Sequence, residues 1–569
     1  MAMNERAEIG GGARIAIAVA AGLALADASI VTLGLPSILI ELDTTVEGVA
    51  LVLGVYTAVL AVALPAAVWV ARRYSAAWLG AAGLVVFGAS SLACGLVDSM
   101  NALLFLRGVQ AVGGAAALVA AFDLLDGGTA GRGRTLWVAA SVFGTAVGPA
   151  LGGALTELFD WRAIFLAQAP IAAPGMLACV AAARGSGPLA RSEGGVEAGP
   201  ASRIPLRPAL ALALLSAALT AVIFLVVLLL VAGFSIEPLA AALAVSALPL
   251  AAFASSRIGG DPETRAAVGC LLVAGGIGCL ALLPDPSAWW TVAPQVLAGA
   301  GMGLALPALA GELMPERTRA DAARLLSIRH LGIAAALVAL GPIVASSLED
   351  QISTAREEGT AAVLDARLPP DTKIDLAPQL FADVDTDDPR GSLERSAAEA
   401  RGDLEDDQIA ELDSLAERLD EVITGAVRAG FRVAFIATAA LALAAALILL
   451  AGALAPARGV ALGPIAAGAA CALIAAAVYG VVFSNSERER VAIADPCSVD
   501  RNLPDTGGIG GLLQDVSLQA LDRAACDFGS SREELLLALF NDDEQDRFEE
   551  RYGEDPRSIG NLGPAILGL

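Results

Sequence analysis

Thirteen uncharged or nearly uncharged apolar runs, each about 20 residues long, constrain this chain more than any other feature. That is the length of helix needed to cross a hydrocarbon layer roughly 30 Å thick. Backbone amides and carbonyls find no water there and must pair within the segment, so each run is expected to be a helix. The runs are too long and too rich in Ala, Leu and Gly for the alternation of a membrane barrel. They lie at 14–40, 48–71, 78–97, 102–122, 134–156, 162–184, 207–232, 238–256, 266–284, 289–311, 325–348, 427–455 and 461–483. The class is therefore an all-α integral membrane protein.

Arginines divide the connections into two alternating sets. One set carries Arg72 and Arg73, Arg132 and Arg134, then Arg184, Arg191, Arg203 and Arg207. It continues with Arg257 and Arg265, Arg317, Arg319 and Arg324, and Arg458. The other set is almost free of positive charge, with Arg162 its clearest exception. The positive-inside rule places the N-terminus in the cytoplasm, and an odd span count places the C-terminal tail outside a multi-pass cell membrane protein. Ala24-Leu25-Ala26 ahead of Asp27 imitates a signal-peptide cleavage site. The apolar run continues past it to Leu42, and cleavage would break the charge alternation, so none is expected.

The net charge of −24 points to no cationic partner once it is located. Residues 349–424 hold 22 acidic and 7 basic side chains, and residues 484–569 hold 18 and 8, leaving +1 for the remainder. These are two external acidic segments attached to a neutral membrane body. Nothing suggests nucleic acid. The bland reading of the acidic segments is solubilising surface; contacts with an extracytoplasmic envelope protein are the alternative.

The organisation expected is an N-terminal six-helix bundle over 1–184 and a Gly/Pro/Ser-rich cytoplasmic linker over 185–206. A C-terminal six-helix bundle over 207–455 follows, interrupted by the insertion 349–424. A thirteenth membrane helix over 456–483 leads to the tail 484–569. In the insertion, helical composition begins near Ser392, and the tail reads as two short helices, one opened by a Ser531/Glu534 capping box. Five cysteines lie inside spans, where Cys behaves as a small apolar residue. Cys497 and Cys526 lie in the outside tail, where oxidation is permitted, and a disulfide between them is expected, the alternative being two free thiols. No metal site is expected, the tail having no His and only those two Cys, and no cofactor is implied.

Four stretches in the first half resemble the major facilitator superfamily, in particular its drug:proton antiporter branch. Asp27-Ala28-Ser29-Ile30-Val31 with Leu35-Pro36 is similar to that branch's first-helix motif. Arg107, Gln110, Gly113 and Gly114 follow its Arg-x-x-Gln-Gly-x-Gly pattern, with Ala111 in place of the first Gly. Gly144, Gly148, Pro149, Gly152 and Gly153 match the antiporter motif of the fifth helix. Trp161-Arg162-Ala163-Ile164-Phe165 with Pro170-Ile171 resembles the entry to the sixth. In the second half, Ser327-Ile328-Arg329-His330-Leu331-Gly332 is a weaker match. The resemblance implies two six-helix bundles around a central cavity, alternating access, and export of a small amphipathic or lipophilic compound against protons.

Asp27 is about halfway along the first span, and an intramembrane ionisable group costs about 2.5–3.5 kcal/mol on insertion scales. Desolvation disfavours its charged form and a cation favours it. Asp27 is expected to carry a proton or bind a cationic substrate, with Arg107, which the family pattern associates with proton coupling, modulating it; the alternative is a static pair. Arg329 and His330 are further coupling candidates, although a lone His is more often a hydrogen-bonded packing residue. The fifth-helix glycines allow close helix approach and Pro149 removes a backbone hydrogen bond. That suits a gating hinge, and plain packing is the alternative. The loop after the second span departs from the family: Val68, Arg72 and Ser75 stand where it carries Gly, Asp and Gly, so the Asp that holds its cytoplasmic gate is missing. Asp123 or Asp126 pairing with Arg72 or Arg73 is one substitute; a solvated charged rim is the other.

No Gly-Lys-Ser/Thr phosphate loop, His pair or Ser/His/Asp set is present, so a secondary transporter is expected rather than an enzyme or an ATP-driven pump. The alternatives are a lipid or cell-envelope precursor exporter and a non-transporting scaffold or sensor. Oligomeric state is not legible in the sequence.

Overall fold

The computed structural model describes residues 10–125, 131–185, 205–314, 317–369, 406–453, 462–486, 493–498 and 508–558, with 373, 398, 401 and 491 singly. It is all-helical. Thirteen helices follow the order of the apolar runs: α1 Gly11–Glu41, α2 Val46–Val70, α3 Ala76–Cys94, α4 Met100–Leu124, α5 Arg132–Leu158, α6 Trp161–Gly185, α7 Leu206–Gly233, α8 Pro238–Ser255, α9 Pro262–Leu280, α10 Ala288–Leu313, α11 Arg319–Asp365, α12 Asp406–Ala453 and α13 Leu462–Ser486. Among the described residues, twelve are long and apolar enough to cross a membrane. The other, α5, has 27 residues, about 40 Å at the helical rise.

Breaks within spans have local causes. In α1 a short 3-10 turn, Thr32–Gly34, precedes Pro36, whose ring cannot continue the hydrogen-bond ladder. α8 is interrupted at Ser246, ahead of Pro249.

Contacts divide the chain into two units. The larger comprises Met1–Val231, Ile236–Ala345 and Phe431–Ser486. Small residues set its helix spacing, as expected where lipid supplies no hydrophobic drive. A Cβ on Gly113 of α4 would collide with the α3 backbone at Gly83 and Phe87, and a Cβ on Gly301 of α10 with the α9 backbone at Gly269 and Val273. The same device thus recurs at equivalent helix pairs of the two halves. α13 packs on α9 through Gly275 against Ala472, and Tyr479 donates to the Trp290 carbonyl at 2.7 Å. Its other face, with Leu473 and Ile474, is exposed.

The smaller unit comprises Ala232–Ser235, Ser346–Gly430 and Glu487–Leu569. Here the structure corrects the sequence reading. The beginning of the insertion is helix: α11 runs on to Asp365, and α12 begins at Asp406. Charge ends a membrane span but not a helix, and residues 349–365 hold no proline to stop one. These two extensions bury Ala362, Val363 and Leu368 against Leu412, Leu415 and Leu419. Among its described residues the tail holds three helices, not two: α14 Gly508–Phe528, α15 Arg532–Phe540 and α16 Asp542–Tyr552. They share a core of Ala524, Ala525, Leu535, Ala538 and Phe548. The Ser531/Glu534 capping box opens α15, and Cys497 is bonded to Cys526 across 29 residues.

Arg532, fully buried, donates to Asp365 at 2.9 Å and to Glu533 at 2.8 Å. Arg356 with Glu544 and Arg547 with Glu349 add further ties between α11 and α16. The cluster is dense enough in carboxylates that burial, together with Glu534, pushes Glu357 up to about 7.

Candidate functional site

The N-terminal half holds a buried polar cluster in an otherwise apolar interior. Asp27 on α1 and Arg107 on α4 form an ion pair, Nη1 to Oδ2 at 2.6 Å, with both side chains 0% exposed. The other Asp27 oxygen accepts from Gln168 Nε2 at 2.9 Å and from Gln110 Nε2 at 3.2 Å. Arg107 Nη1 donates to Gln110 Oε1 at 2.7 Å and its Nε to the Val52 carbonyl at 3.2 Å. The guanidinium lies over the Tyr56 ring, 4.4 Å from its centroid. Tyr56 in turn donates to the Ala24 carbonyl at 2.8 Å. Ser91 donates to Gln168 Oε1 at 3.1 Å.

The arrangement follows from helical spacing. Arg107 and Gln110 stand three apart on α4 and so share a face. α1, α2, α3 and α6 surround that face, each contributing one polar group. Arg107 Nη2 has no hydrogen-bond partner among the described residues. An ion pair taken out of water is held only if its hydrogen bonds are nearly complete, and this one is close to that limit. Adding a proton to Asp27 would remove the negative charge that Arg107 faces, in surroundings where charge interactions are strong. Protonation of one side chain is therefore tied to the placement of the other.

Gln168, Tyr56 and Ser91 were absent from the sequence reading. Only Gln168 had a signal, an unexplained amide in the middle of α6.

The remaining candidates lie apart from this cluster. His330 is buried and its Nδ1 lies 2.7 Å from the Leu326 carbonyl on its own helix. Arg329 is partly buried and has no ion-pair or hydrogen-bond partner among the described residues. In α5, Gly148 and Gly152 press on α1 at Ser29 and Ile30, whereas Gly153 presses on α8 at Pro238 and Ala242. Pro149 lies between them and is buried. Gly144 is on the same helix, with its surroundings outside the described residues, and Asp126 is also outside them. Asp123, at the end of α4, is ion-paired with Arg319 at the start of α11. Arg72 is exposed, and Arg73 lies over the Trp69 ring, 4.1 Å from its centroid. Arg162, the exception to the charge alternation, is paired with Glu41 and, at 2.5 Å, with Asp98.

An all-helical membrane body with a buried ion pair in one half is the architecture of a multi-pass transporter. The family model described as Major Facilitator Superfamily matches residues 17–346, and the chain belongs to that superfamily. Multidrug resistance protein Stp of Mycobacterium tuberculosis (strain CDC 1551 / Oshkosh) is 32% identical over 164 residues, covering 27% of this chain and 30% of Stp. MdtD of Yersinia pestis (strain Pestoides F), a multidrug resistance protein by name, is 34% identical over 163 residues, 27% of this chain and 34% of MdtD. The chain thus spans about a third of the length of these curated relatives. A crystal structure of a bacterial homologue of the human lysosomal transporter Spinster superposes with a TM-score of 0.48 at 16% identity, covering 80% of this chain and all of that one.

Proposed function

We propose that this transporter exports small amphipathic or lipophilic compounds in exchange for protons, by alternating access, with Asp27 as the proton carrier. The observation that carries the reading is the fully buried Asp27–Arg107 pair, a costly placement inside a membrane. The names of Stp and MdtD support the substrate class. When Asp27 is ionised, Arg107 and the amides of Gln110 and Gln168 hold it. When it is protonated, Arg107 is released toward Gln110 and the Val52 carbonyl, and the packing between α1, α4 and α6 loosens. Gly148 and Gly152 keep α5 against α1 within the N-terminal half, and Gly153 seats it on α8 of the other half, so α5 transmits the change to the interface about which the halves rock. Arg329 and His330 have no contact with Asp27 that supports a coupling role.

Asp123 and Arg319 are the proposed cytoplasmic latch, joining the two halves where the family's loop Asp is missing. The N-terminus lies in the cytoplasm of a cell membrane protein and the smaller unit outside it, a side on which the Cys497–Cys526 bond is chemically at home. The organisation is two six-helix bundles over 1–184 and 207–455, a linker over 185–206, and a thirteenth helix leading to the tail.

The test is flux of a lipophilic dye in proteoliposomes under an imposed pH gradient. Wild type is expected to move dye only with the gradient, and Asp27→Asn to lose gradient-driven flux while retaining dye binding. Gradient-driven flux persisting in Asp27→Asn would remove Asp27 from the mechanism.

A further inference from the structure

In the C-terminal half, α7, α11 and α12 enclose a cleft of about 440 Å³. Every lining side chain is apolar, among them Ala213 and Ala217 of α7, Ala336, Ala339 and Ile343 of α11, and Leu441 of α12. The space exists because alanines stand where larger side chains would interlock. At one end of the cleft Gly332 brings α11 onto the α7 backbone at Ala213. The corresponding helices of the N-terminal half, α1, α5 and α6, pack closely and carry Asp27 and Gln168 among them.

Arg329 stands three residues before Gly332 and seven before Ala336, on the same stripe of α11 as the cleft wall. It has no ion-pair or hydrogen-bond partner among the described residues, whereas Arg107 in the other half has Asp27. A guanidinium within a span favours an anion beside it, and its planar fork fits a carboxylate in two-point contact. The cleft is within the range that holds one small molecule, about 300–1,000 Å³. It is a slot for one alkyl chain rather than two.

We propose that this cleft binds a single-chain anionic amphiphile, an alkyl carboxylate whose chain fills the apolar slot and whose head group meets Arg329. The cleft is partly open rather than enclosed. The claim concerns binding alone and stands or falls independently of proton coupling at Asp27.

The experiment is binding of labelled hexadecanoate to the full chain in nanodiscs of zwitterionic phospholipid. Its methyl ester and phosphatidylglycerol serve as competitors, and thermal unfolding verifies that each variant is folded. Saturable binding is expected, about tenfold or more weaker in Arg329→Gln, the equivalent of losing a hydrogen bond to a charged group. Arg329→Lys should recover part of it, and Ala339→Leu, which fills the slot and keeps the charge, should weaken it. The methyl ester should compete poorly. Equal binding in wild type, Arg329→Gln and Ala339→Leu would overturn the proposal. So would a methyl ester that competes as well as the acid, or phosphatidylglycerol displacing hexadecanoate at equal concentration, which would make the site one for two-chain lipid.

Discussion

The two halves of the membrane unit share their scaffolding and differ in what fills it. Gly113 on α4 and Gly301 on α10 solve the same packing problem, each letting a neighbouring backbone approach where a Cβ would collide. At the next level the likeness ends. The N-terminal half places a carboxylate, a guanidinium and two amides between α1, α4 and α6. In the C-terminal half the Gln295 amide bonds Thr291 on its own helix at 3.0 Å, and an apolar cleft lies between α7, α11 and α12. Repeated architecture can thus be kept by small residues while, among the described residues, the fully buried ion pair is found in one copy.

Removing one partner of the buried pair should have the largest effect. Arg107→Ala leaves Asp27 buried without its cation and should cost about 3–5 kcal/mol in unfolding of the membrane unit. The double variant Asp27→Asn/Arg107→Gln should recover most of that loss, because neither charge is then stranded. If the single variant unfolds like wild type, the contrast between the halves is not electrostatic.

Replacing both Cys497 and Cys526 by Ser should cost the smaller unit about 3.6 kcal/mol on the chain-entropy estimate. Hydrogen exchange in α14–α16 would report it, and the membrane helices should be unaffected. The scaffolding comparison is sharpened by Gly113→Ala and Gly301→Ala. Each should destabilise by about 1–3 kcal/mol, and by similar amounts, since both insert a methyl group into a closed contact. Widely different values would break the equivalence.

The smallest effect concerns Glu357 in the smaller unit. Its carboxyl is raised from the ordinary 4.5 to about 7 by burial and by Glu534, with Glu544 and Glu533 adding to this and Arg551 opposing it. Because the folded form binds the proton more tightly than the unfolded one, the contribution of Glu357 to stability is fully present below 4.5 and is lost as pH rises through about 7. Glu357→Gln should remove about 1 kcal/mol of that pH-dependent change, allowing for solvent screening. Exchange rates in α14–α16 followed against pH would show it.

Much of this was legible in the sequence, for identifiable reasons. Spans show themselves because bilayer thickness fixes helix length, Asp27 and Arg107 because charge is rare in apolar runs, and Gln110 through the family motif it shares with Arg107. The Cys497–Cys526 bond was legible because only those two cysteines lay outside the spans. What the sequence hid were partners fixed by tertiary packing: Gln168 lies 141 residues from Asp27, and Arg319 lies 196 from Asp123. The continuation of α11 to Asp365 was hidden because hydropathy locates the membrane boundary and is silent on where the helix ends.

The central claim is that Asp27 takes up and releases a proton as the transporter works. Infrared difference spectroscopy on the reconstituted protein, comparing substrate-free and substrate-bound states, reads that carboxyl directly. The account predicts that substrate binding changes a protonated-carboxyl band, and that this band is missing altogether in Asp27→Asn. A spectrum in which substrate binding changes no carboxyl band, or changes one that Asp27→Asn leaves in place, would contradict it.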